Sequence, residues 1–413
     1  MSASKAVRLP VIRNQKYQRH GLKSYVYALN KYNISPSKPG PYQRQANEKR
    51  LTKKLADGSS GPITADDQQM DSLWTCAVQV GTPAQTVNLD FDSGSSDLWV
   101  KSTELPESTV SKERTAGVAI FDPDQSTTFE KMPESSWQIQ YGDGSTASGN
   151  VGTDVLHLGN ITVTGQAIEY ATQMSDQFVN EPSSGLLGLA WGSINTVKPE
   201  PVKTPLENMI LQDDIPKDSE LFTVYLGSIK DQADPDGGES FFTFGAIDQD
   251  MVDRSGQEIS WAPIDNSQGF WTYQSSSMTV NGNEVSTPNN TAIMDTGTTL
   301  SLVDDDVLQQ IYSQVSGARY DETQQGWLIP TADVKSRPDV TFAIGDKQFT
   351  IEKEQMAFQE VDDTMSYGAI QSRGSLPFDI MGDTMLVCIY CVFDAGQQRI
   401  GAVQRPDPTP AGQ

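Results

Sequence analysis

Val87-Asn88-Leu89-Asp90-Phe91-Asp92-Ser93-Gly94-Ser95-Ser96 and Thr291-Ala292-Ile293-Met294-Asp295-Thr296-Gly297-Thr298-Thr299 are two copies of one pattern. Each is an apolar run ending in an acid, then a hydroxyl residue, a glycine and further hydroxyls. The acids Asp92 and Asp295 lie 203 positions apart. A second apolar-apolar-Gly element follows each copy: Leu186-Leu187-Gly188 ends 96 residues after Asp92, and Ile380-Met381-Gly382 ends 87 after Asp295. One such triplet carries little information. Two, with matching flanks and a partner at similar distance, form an internal repeat and imply two halves of similar plan.

An apolar strand that ends in Asp-Ser-Gly or Asp-Thr-Gly carries a carboxylate to the mouth of a tight turn. Glycine lets the backbone fold close, and the next hydroxyl can reach the carboxylate. If the halves pack about a pseudo-twofold axis, Asp92 and Asp295 face each other within hydrogen-bond reach. Two like charges so close cannot both ionise, so the pair keeps one proton over a wide acidic range and titrates as a unit. One carboxylate is then a base and the other an acid. The base would deprotonate a water held between them while the acid protonates a scissile carbonyl oxygen, so an amide is attacked without a covalent intermediate.

Composition fits chemistry of that kind. With 413 residues, 36% of them hydrophobic, the chain is long enough for two or three ordinary domains with sizeable cores. Its longest uninterrupted apolar run, Met385 to Phe393, has nine residues, half of what a membrane-spanning helix needs, so no membrane span is expected. Three Cys do not make a disulfide scaffold. Two His exclude multi-histidine metal centres and are poor material for trypsin-like or papain-like hydrolases. His20 and His157 carry no partner pattern, and the acidic loop Asp231 to Glu239 lacks calcium-loop spacing. Neither a metal nor a cofactor is expected.

From Leu73 onward, short alternating runs separated by Gly, Asp and Asn turns argue a β-rich body: Trp74 to Val80, Val87 to Phe91, Trp137 to Tyr141, Val151 to Leu158, Phe222 to Leu226 and Phe241 to Phe244. Two helices are expected. Thr204-Pro205-Leu206-Glu207 is a capping box opening a short helix toward Gln212, and Val307, Leu308, Ile311, Tyr312 and Val315 form a helical stripe after Asp304-Asp305-Asp306. Cys388 and Cys391 are expected on one apolar strand, facing opposite ways. With Cys76 they read as buried core thiols.

Charge divides the chain. Residues 1 to 55 hold 13 Lys and Arg against one acid, Glu48, a net +12, which leaves −36 on the remainder of a chain whose net charge is −24. A basic arm beside a body that repels phosphate is expected to dock on that body rather than on nucleic acid. Met1 to Gln15 has no apolar core that could serve as an export signal. The expected organisation is a basic arm and linker (1–57), a first lobe with Asp92 (58–240), a second lobe with Asp295 (241–405) and a tail (406–413). The linker carries the dibasic pairs Lys49-Arg50 and Lys53-Lys54 and a Gly/Ser stretch, Asp57 to Pro62, open to proteolysis.

These stretches, with Asp97-Leu98-Trp99-Val100, Tyr141-Gly142-Asp143-Gly144-Ser145, Gly185-Leu186-Leu187-Gly188-Leu189-Ala190, Ser193 to Pro199 and Val392-Phe393-Asp394, resemble a pepsin-like aspartic protease precursor, in particular the fungal acid proteases. The resemblance runs from about Val7 to Gln404. It implies an all-β, bilobal fold with a few short helices, pseudo-twofold related lobes and an N-terminal prosegment. It implies Asp92 and Asp295 as the catalytic dyad, Ser95 and Thr298 bonding the outer carboxylate oxygens, and Ser93 and Thr296 tying the loops together around Gly94 and Gly297. Tyr141 would sit on a hairpin flap closing over substrate, its hydroxyl bonded to Trp99, with Gly142, Asp143 and Ser145 beside it. Asp143 resembles the acid that lets some fungal members accept Lys as well as apolar residues at the cleaved position. Phe178 and Leu187 resemble walls of the pocket for that side chain.

The arm gains a role from the same resemblance. Val7-Arg8-Leu9-Pro10-Val11 resembles the prosegment's first strand, and Ala28-Leu29-Asn30-Lys31-Tyr32 the stretch whose Lys lies over the catalytic acids. Lys31, with Tyr32, would block the cleft until acid weakens the attraction and releases the arm. The chain is thus expected to be a monomeric acid endopeptidase zymogen with peptide or protein substrates and its own prosegment as inhibitor.

Some positions depart from the family. Ser184 stands where an Asp usually precedes Gly185, and Pro330 and Tyr367 lie near where second-lobe disulfide cysteines would fall. Two rival classes remain: a fold of this kind turned to another acid-catalysed reaction or small-molecule substrate, and a proteolytically dead binding module. Resemblance points to a secreted or vacuolar protein, and Asn33, Asn160 and Asn289 begin glycosylation triplets. The N-terminus without a signal leaves an intracellular chain open.

Overall fold

The computed structural model describes residues 7–13, 19–38, 40, 74–140, 146–179, 183–228 and 240–406. Both copies of the repeat build the same device. Strand Gln85–Asp92 runs parallel to Gly185–Gly188, with Asp92 opposite Gly188, while Leu98–Lys101 flanks Gly185–Gly188 antiparallel from the other side. In the second half, Thr291–Met294 runs parallel to Asp379–Met381, and Ser301–Val303 meets it antiparallel at Leu302 and Ile380. The flanking strands then pair parallel with a further strand: Trp99 opposite Glu169 in the first half, Leu302 opposite Gln371 in the second. Strands covered on both faces are expected to be apolar throughout, and Leu98–Lys101, Gly185–Gly188, Asp379–Met381 and Ser301–Val303 are buried at every residue.

The halves share a sheet behind the two Asp turns. Leu221–Tyr225 lies between Phe241–Phe244 and Ile389–Asp394, and Arg399–Gln404 and Ser260–Asp265 extend the far side. The arm contributes its own strand, Val7–Arg13. Val7 to Pro10 pair antiparallel with Phe241–Phe244, and Val11 to Arg13 with Trp74 to Cys76. Aromatic rings fill the space in front of this sheet. Phe222 stacks on Phe393 with centroids 4.4 Å apart, both meet Trp271 edge-on, and the Trp271 indole N–H donates to Leu189 O at 2.9 Å.

Most expected elements form where the pattern places them. Pro205–Leu211 is a helix whose Thr204 and Glu207 close both bonds of the capping box. The second helix, Asp305–Tyr312, stops before Val315, which is buried all the same. Among the helices not anticipated are Glu107–Thr115, Gln249–Ser255 and Gly21–Lys31. In the last, Leu22, Tyr25, Val26 and Leu29 make an apolar stripe at helical spacing, and Tyr25, Ala28 and Leu29 pack with Ile293, Leu300, Leu328 and Tyr367 of the second lobe.

Of three smaller expectations, the placement of Cys388 needs correction and the other two gain structural detail. His20 has a partner: it caps helix Gly21–Lys31, Nδ1 accepting from Lys23 N at 3.4 Å. Cys388 is not on the strand that holds Cys391. It precedes Ile389–Asp394, because the helical turn Asp383–Leu386 uses the first part of the apolar run, and all three Cys are buried thiols outside any disulfide. Pro330 and Tyr367 lie on neighbouring strands but two registers apart, Pro330 opposite Met365 and Tyr367 opposite Leu328.

Candidate active site

The two Asp turns meet face to face at the lobe interface. Gly94 N donates to Asp92 Oδ1 at 2.8 Å and Gly297 N to Asp295 Oδ1 at 2.9 Å. Ser95 Oγ donates to Asp92 Oδ2 at 2.6 Å, and Thr298 Oγ1 donates to Asp295 Oδ2. Neither glycine has a positive φ; what each provides is room. A Cβ on Gly94 would strike the Asp295 carboxylate, and one on Gly297 would strike that of Asp92. Each turn therefore approaches its partner's carboxylate as closely as a bare backbone permits.

Ser93 and Thr296 tie the turns together across the interface. Ser93 N donates to Thr296 Oγ1 at 2.9 Å and Thr296 N to Ser93 Oγ at 3.0 Å. The hydroxyls then donate onward, Ser93 Oγ to Met294 O at 2.9 Å and Thr296 Oγ1 to Phe91 O at 2.5 Å. All four bonds are buried, where leaving such groups unpaired costs about 1–3 kcal/mol each.

Helix Gly21–Lys31 ends over this pair. Lys31 Nζ lies 2.8 Å from Asp92 Oδ1 and 3.0 and 2.9 Å from Asp295 Oδ1 and Oδ2, and Tyr32 Oη donates to Asp295 Oδ2 at 2.6 Å. The Tyr32 ring sits beside Phe270 and Phe378, at centroid distances of 5.8 and 6.4 Å. These two phenylalanines were not singled out in the sequence; nothing in its periodicity separates them from core.

Electrostatics splits the dyad. Burial pushes Asp92 above the ordinary carboxylate range, with Asp295 adding to the rise and Lys31 opposing it. Burial would raise Asp295 too, but Lys31 and the hydrogen bonds from Asp92, Thr298 and Tyr32 outweigh it and hold Asp295 below its ordinary value. Burial disfavours the Lys31 ammonium, yet Asp295 and Asp92 together keep it firmly charged. The arrangement is one cation, one anion and one carboxyl poised to carry a proton.

The remaining expected residues fall in three groups. Tyr141, Gly142, Asp143 and Ser145 lie outside the described residues. Trp99 and Phe178 are buried together, edge to face at 5.8 Å, with Trp137 stacked on Trp99; among the described residues the Trp99 indole N–H finds no acceptor. Leu187 does not line that pocket. It is fully buried in the central core, paired with Phe91 and Leu98, and its neighbour Leu186 joins Phe178 and Trp99 instead, because successive residues of a strand face opposite ways. Ser184 fills the place of the family's Asp with its hydroxyl accepting from Asn88 N at 3.1 Å. Among the described residues, no group of His, Cys, Asp and Glu could hold a metal ion.

Comparison with known proteins agrees with this geometry. Aspergillopepsin-1 of Aspergillus oryzae is 37% identical over 347 residues, 84% of this chain and 82% of that protein. Endothiapepsin of Cryphonectria parasitica is 34% identical over 387 residues, 93% and 86% of the two chains, and penicillopepsin-3 of Penicillium janthinellum 35% over 348, 84% and 82%. The sequence model of the eukaryotic aspartyl protease family matches residues 74–405, the span that carries both Asp turns and, among the described residues, every strand but the arm's. The chain belongs to the eukaryotic aspartyl protease family, with its bilobal pepsin-like fold.

Proposed function

We propose that the protein is an aspartic endopeptidase held as a zymogen by its own N-terminal arm and active at acidic pH. One observation carries this reading: Lys31 Nζ touches both carboxylates, at 2.8 to 3.0 Å, where a water shared by the two would have to sit. With Lys31 and Tyr32 in place no scissile bond can reach the dyad. As pH falls and the carboxylates take up protons, Lys31 loses its partners, and a buried ammonium without them is costly. The arm leaves and water takes its position. Asp92 and Asp295 then hold one proton between them; one deprotonates the water, the other protonates the substrate carbonyl, and the roles reverse as the amine departs. Ser95, Thr298, Gly94 and Gly297 fix the carboxylates, so the exchange needs little reorganisation.

Tyr32 also suggests what substrate side chains the cleft takes. Its ring, between Phe270 and Phe378 and next to Asp295, supports a preference for a large apolar or aromatic group on that side of the scissile bond. Phe178 and Leu186, packed with Trp99, support an apolar group on the other. Acceptance of Lys through Asp143 is part of the same proposal, as are a secreted or vacuolar location and a monomeric state. No helix among the described residues is long and apolar enough to cross a membrane. A cleft turned to another acid-catalysed reaction is disfavoured by the complete set of dyad supports.

The test is to hold the full-length protein at about pH 3.5, where exposed carboxylates are largely protonated. It should then cleave a denatured protein and lose its N-terminal arm, as read by N-terminal sequencing, and a statine-type mimic should block both. Equal cleavage at neutral pH with the arm intact would refute the zymogen; no cleavage with mimic binding intact would refute the protease.

A further inference from the structure

The repeat that places the two catalytic acids supplies an internal control for the residues behind them. A shift of 203 residues takes Asp97 to Leu300, and Glu169, the strand partner of Trp99, corresponds to Gln371, the strand partner of Leu302. In the second lobe both places are uncharged. Leu300 is buried among Ile293, Leu302 and Ile380, and Gln371 accepts from Trp327 N at 2.9 Å and donates to Gly368 O at 2.8 Å. The first lobe puts carboxyl groups in the same two places, 4% and 0% exposed. A fold that holds the Asp295 turn without them does not need acids there.

The two carboxyls are wired to the Asp92 turn. Asp97 Oδ1 accepts from Thr196 N and Thr196 Oγ1, both at 2.8 Å, and from Asn195 Nδ2 at 3.2 Å. Glu169 Oε1 accepts from the same Asn195 Nδ2 at 2.8 Å, while its Oε2 is buried with no donor. Asn195 Nδ2 also reaches Ser96 O at 3.2 Å. Ser96 and Asp97 directly follow Ser95, whose hydroxyl holds Asp92. Glu169 and Asp97 both accept from the same Asn195 Nδ2, which gathers two buried carboxyls at one point, where they cannot both ionise, so one must carry a proton. Asp97 accepts from three donors and is fitted to be the anion; Glu169 Oε2, which receives no donor, is the oxygen fitted to carry the proton. Among the described residues, Asp97 is the charged group that faces Glu169, for Asn195 and Thr196 add only neutral donors and Lys101, farther along the strand of Trp99, is taken up by Glu113 at 3.0 Å. Burial raises Glu169 well above the carboxylate range, Asp97 raises it further, and burial raises Asp97 as well.

We propose that Asp97 and Glu169 are positioning residues that lock the Asp92 turn through one shared proton, a lock the Asp295 turn lacks. The inference rests on the protease reading for its effect on catalysis, though not for its effect on the fold. Because the folded protein binds this proton more tightly than the unfolded chain, the lock contributes fully below about pH 4 and its contribution is lost as pH rises toward the raised folded value. Once the proton leaves, two anions face each other in a dry core and the Ser95–Asp97 leg loosens.

Glu169→Gln tests this in the full-length chain. The amide can donate to Asp97 and accept from Asn195 with no proton to lose. Between about pH 4 and 7 the native folding constant should fall up to about tenfold more per pH unit than that of the variant, measured by urea unfolding. After acid activation, kcat/KM at about pH 3.5 should stay within about threefold of native, while the alkaline limb of the variant's activity profile moves to higher pH. Asp97→Asn, which also removes the second charge, should behave likewise. Parallel pH dependences of unfolding for native and both variants would overturn the lock, and so would failure of both to fold at about pH 4, where the amides reproduce the protonated hydrogen bonds. A difference in unfolding without peptide cleavage would uphold the lock and sink the protease reading; cleavage with parallel unfolding would do the reverse.

Discussion

Replacing Lys31 by Met removes the cation from the dyad while an unbranched side chain still fills the space. Nζ is within 3.0 Å of three carboxylate oxygens, and the side chain is 6% exposed. Breaking a buried ion pair by deleting one partner costs about 3–5 kcal/mol. The lower end, about 3 kcal/mol, applies here because the two carboxylates can take up a shared proton in place of the ammonium. That is roughly 150-fold in the equilibrium between docked and released arm. The sign with pH follows from Asp295. Burial would raise it, but Lys31 and its hydrogen bonds hold it low, so the ion pair's contribution is present above the ordinary carboxylate range and is lost as pH falls through the depressed value. The native cleft should therefore open only below about pH 4, and Lys31→Met, if one proton accompanies release, about two pH units higher. Binding of a fluorescent statine-type mimic to the full-length chain, read within seconds of a pH jump, measures the midpoint before self-cleavage intervenes. Coincident midpoints for native and Lys31→Met would refute the reasoning.

Gly297→Ala places a methyl group against the Asp92 carboxylate; displacing a reacting group by about 1 Å costs about 100-fold, so kcat/KM should drop by that order while the circular dichroism spectrum is kept. Phe378→Ala widens the place where Tyr32 now sits, so a peptide series varied on that side of the scissile bond should lose about 1–3 kcal/mol of its preference for Phe or Tyr over Ala, with other positions unaffected.

What could be read from the chain beforehand was whatever repeats or alternates locally. The two Asp turns, their apolar-apolar-Gly partners and the capped helix Pro205–Leu211 each fit within a dozen residues, and they stand where the pattern puts them. The stripe of Leu22, Tyr25, Val26 and Leu29 was equally local and would have revealed helix Gly21–Lys31; aromatic and β-branched residues in it weaken helix propensity and mask the period. Other features depend on tertiary contact. Leu187 and Leu186 are adjacent and alike, and only the pairing of Leu187 with Phe91 and Leu98 decides which faces the core. Glu169 meets Asp97 across 72 residues, and no spacing announces that two acids will be buried together. Phe270 and Phe378 become cleft residues only because Tyr32 lies against both.

Whether a proton shared by Asp92 and Asp295 drives hydrolysis is tested most directly by kcat/KM of the arm-free native protein, Asp92→Asn and Asp295→Asn on one peptide at about pH 3.5. Each substitution should cost about 10⁴-fold, since both halves of the acid–base exchange are lost, with the folded state and mimic binding retained. Cleavage at a near-native rate by either variant would contradict the account.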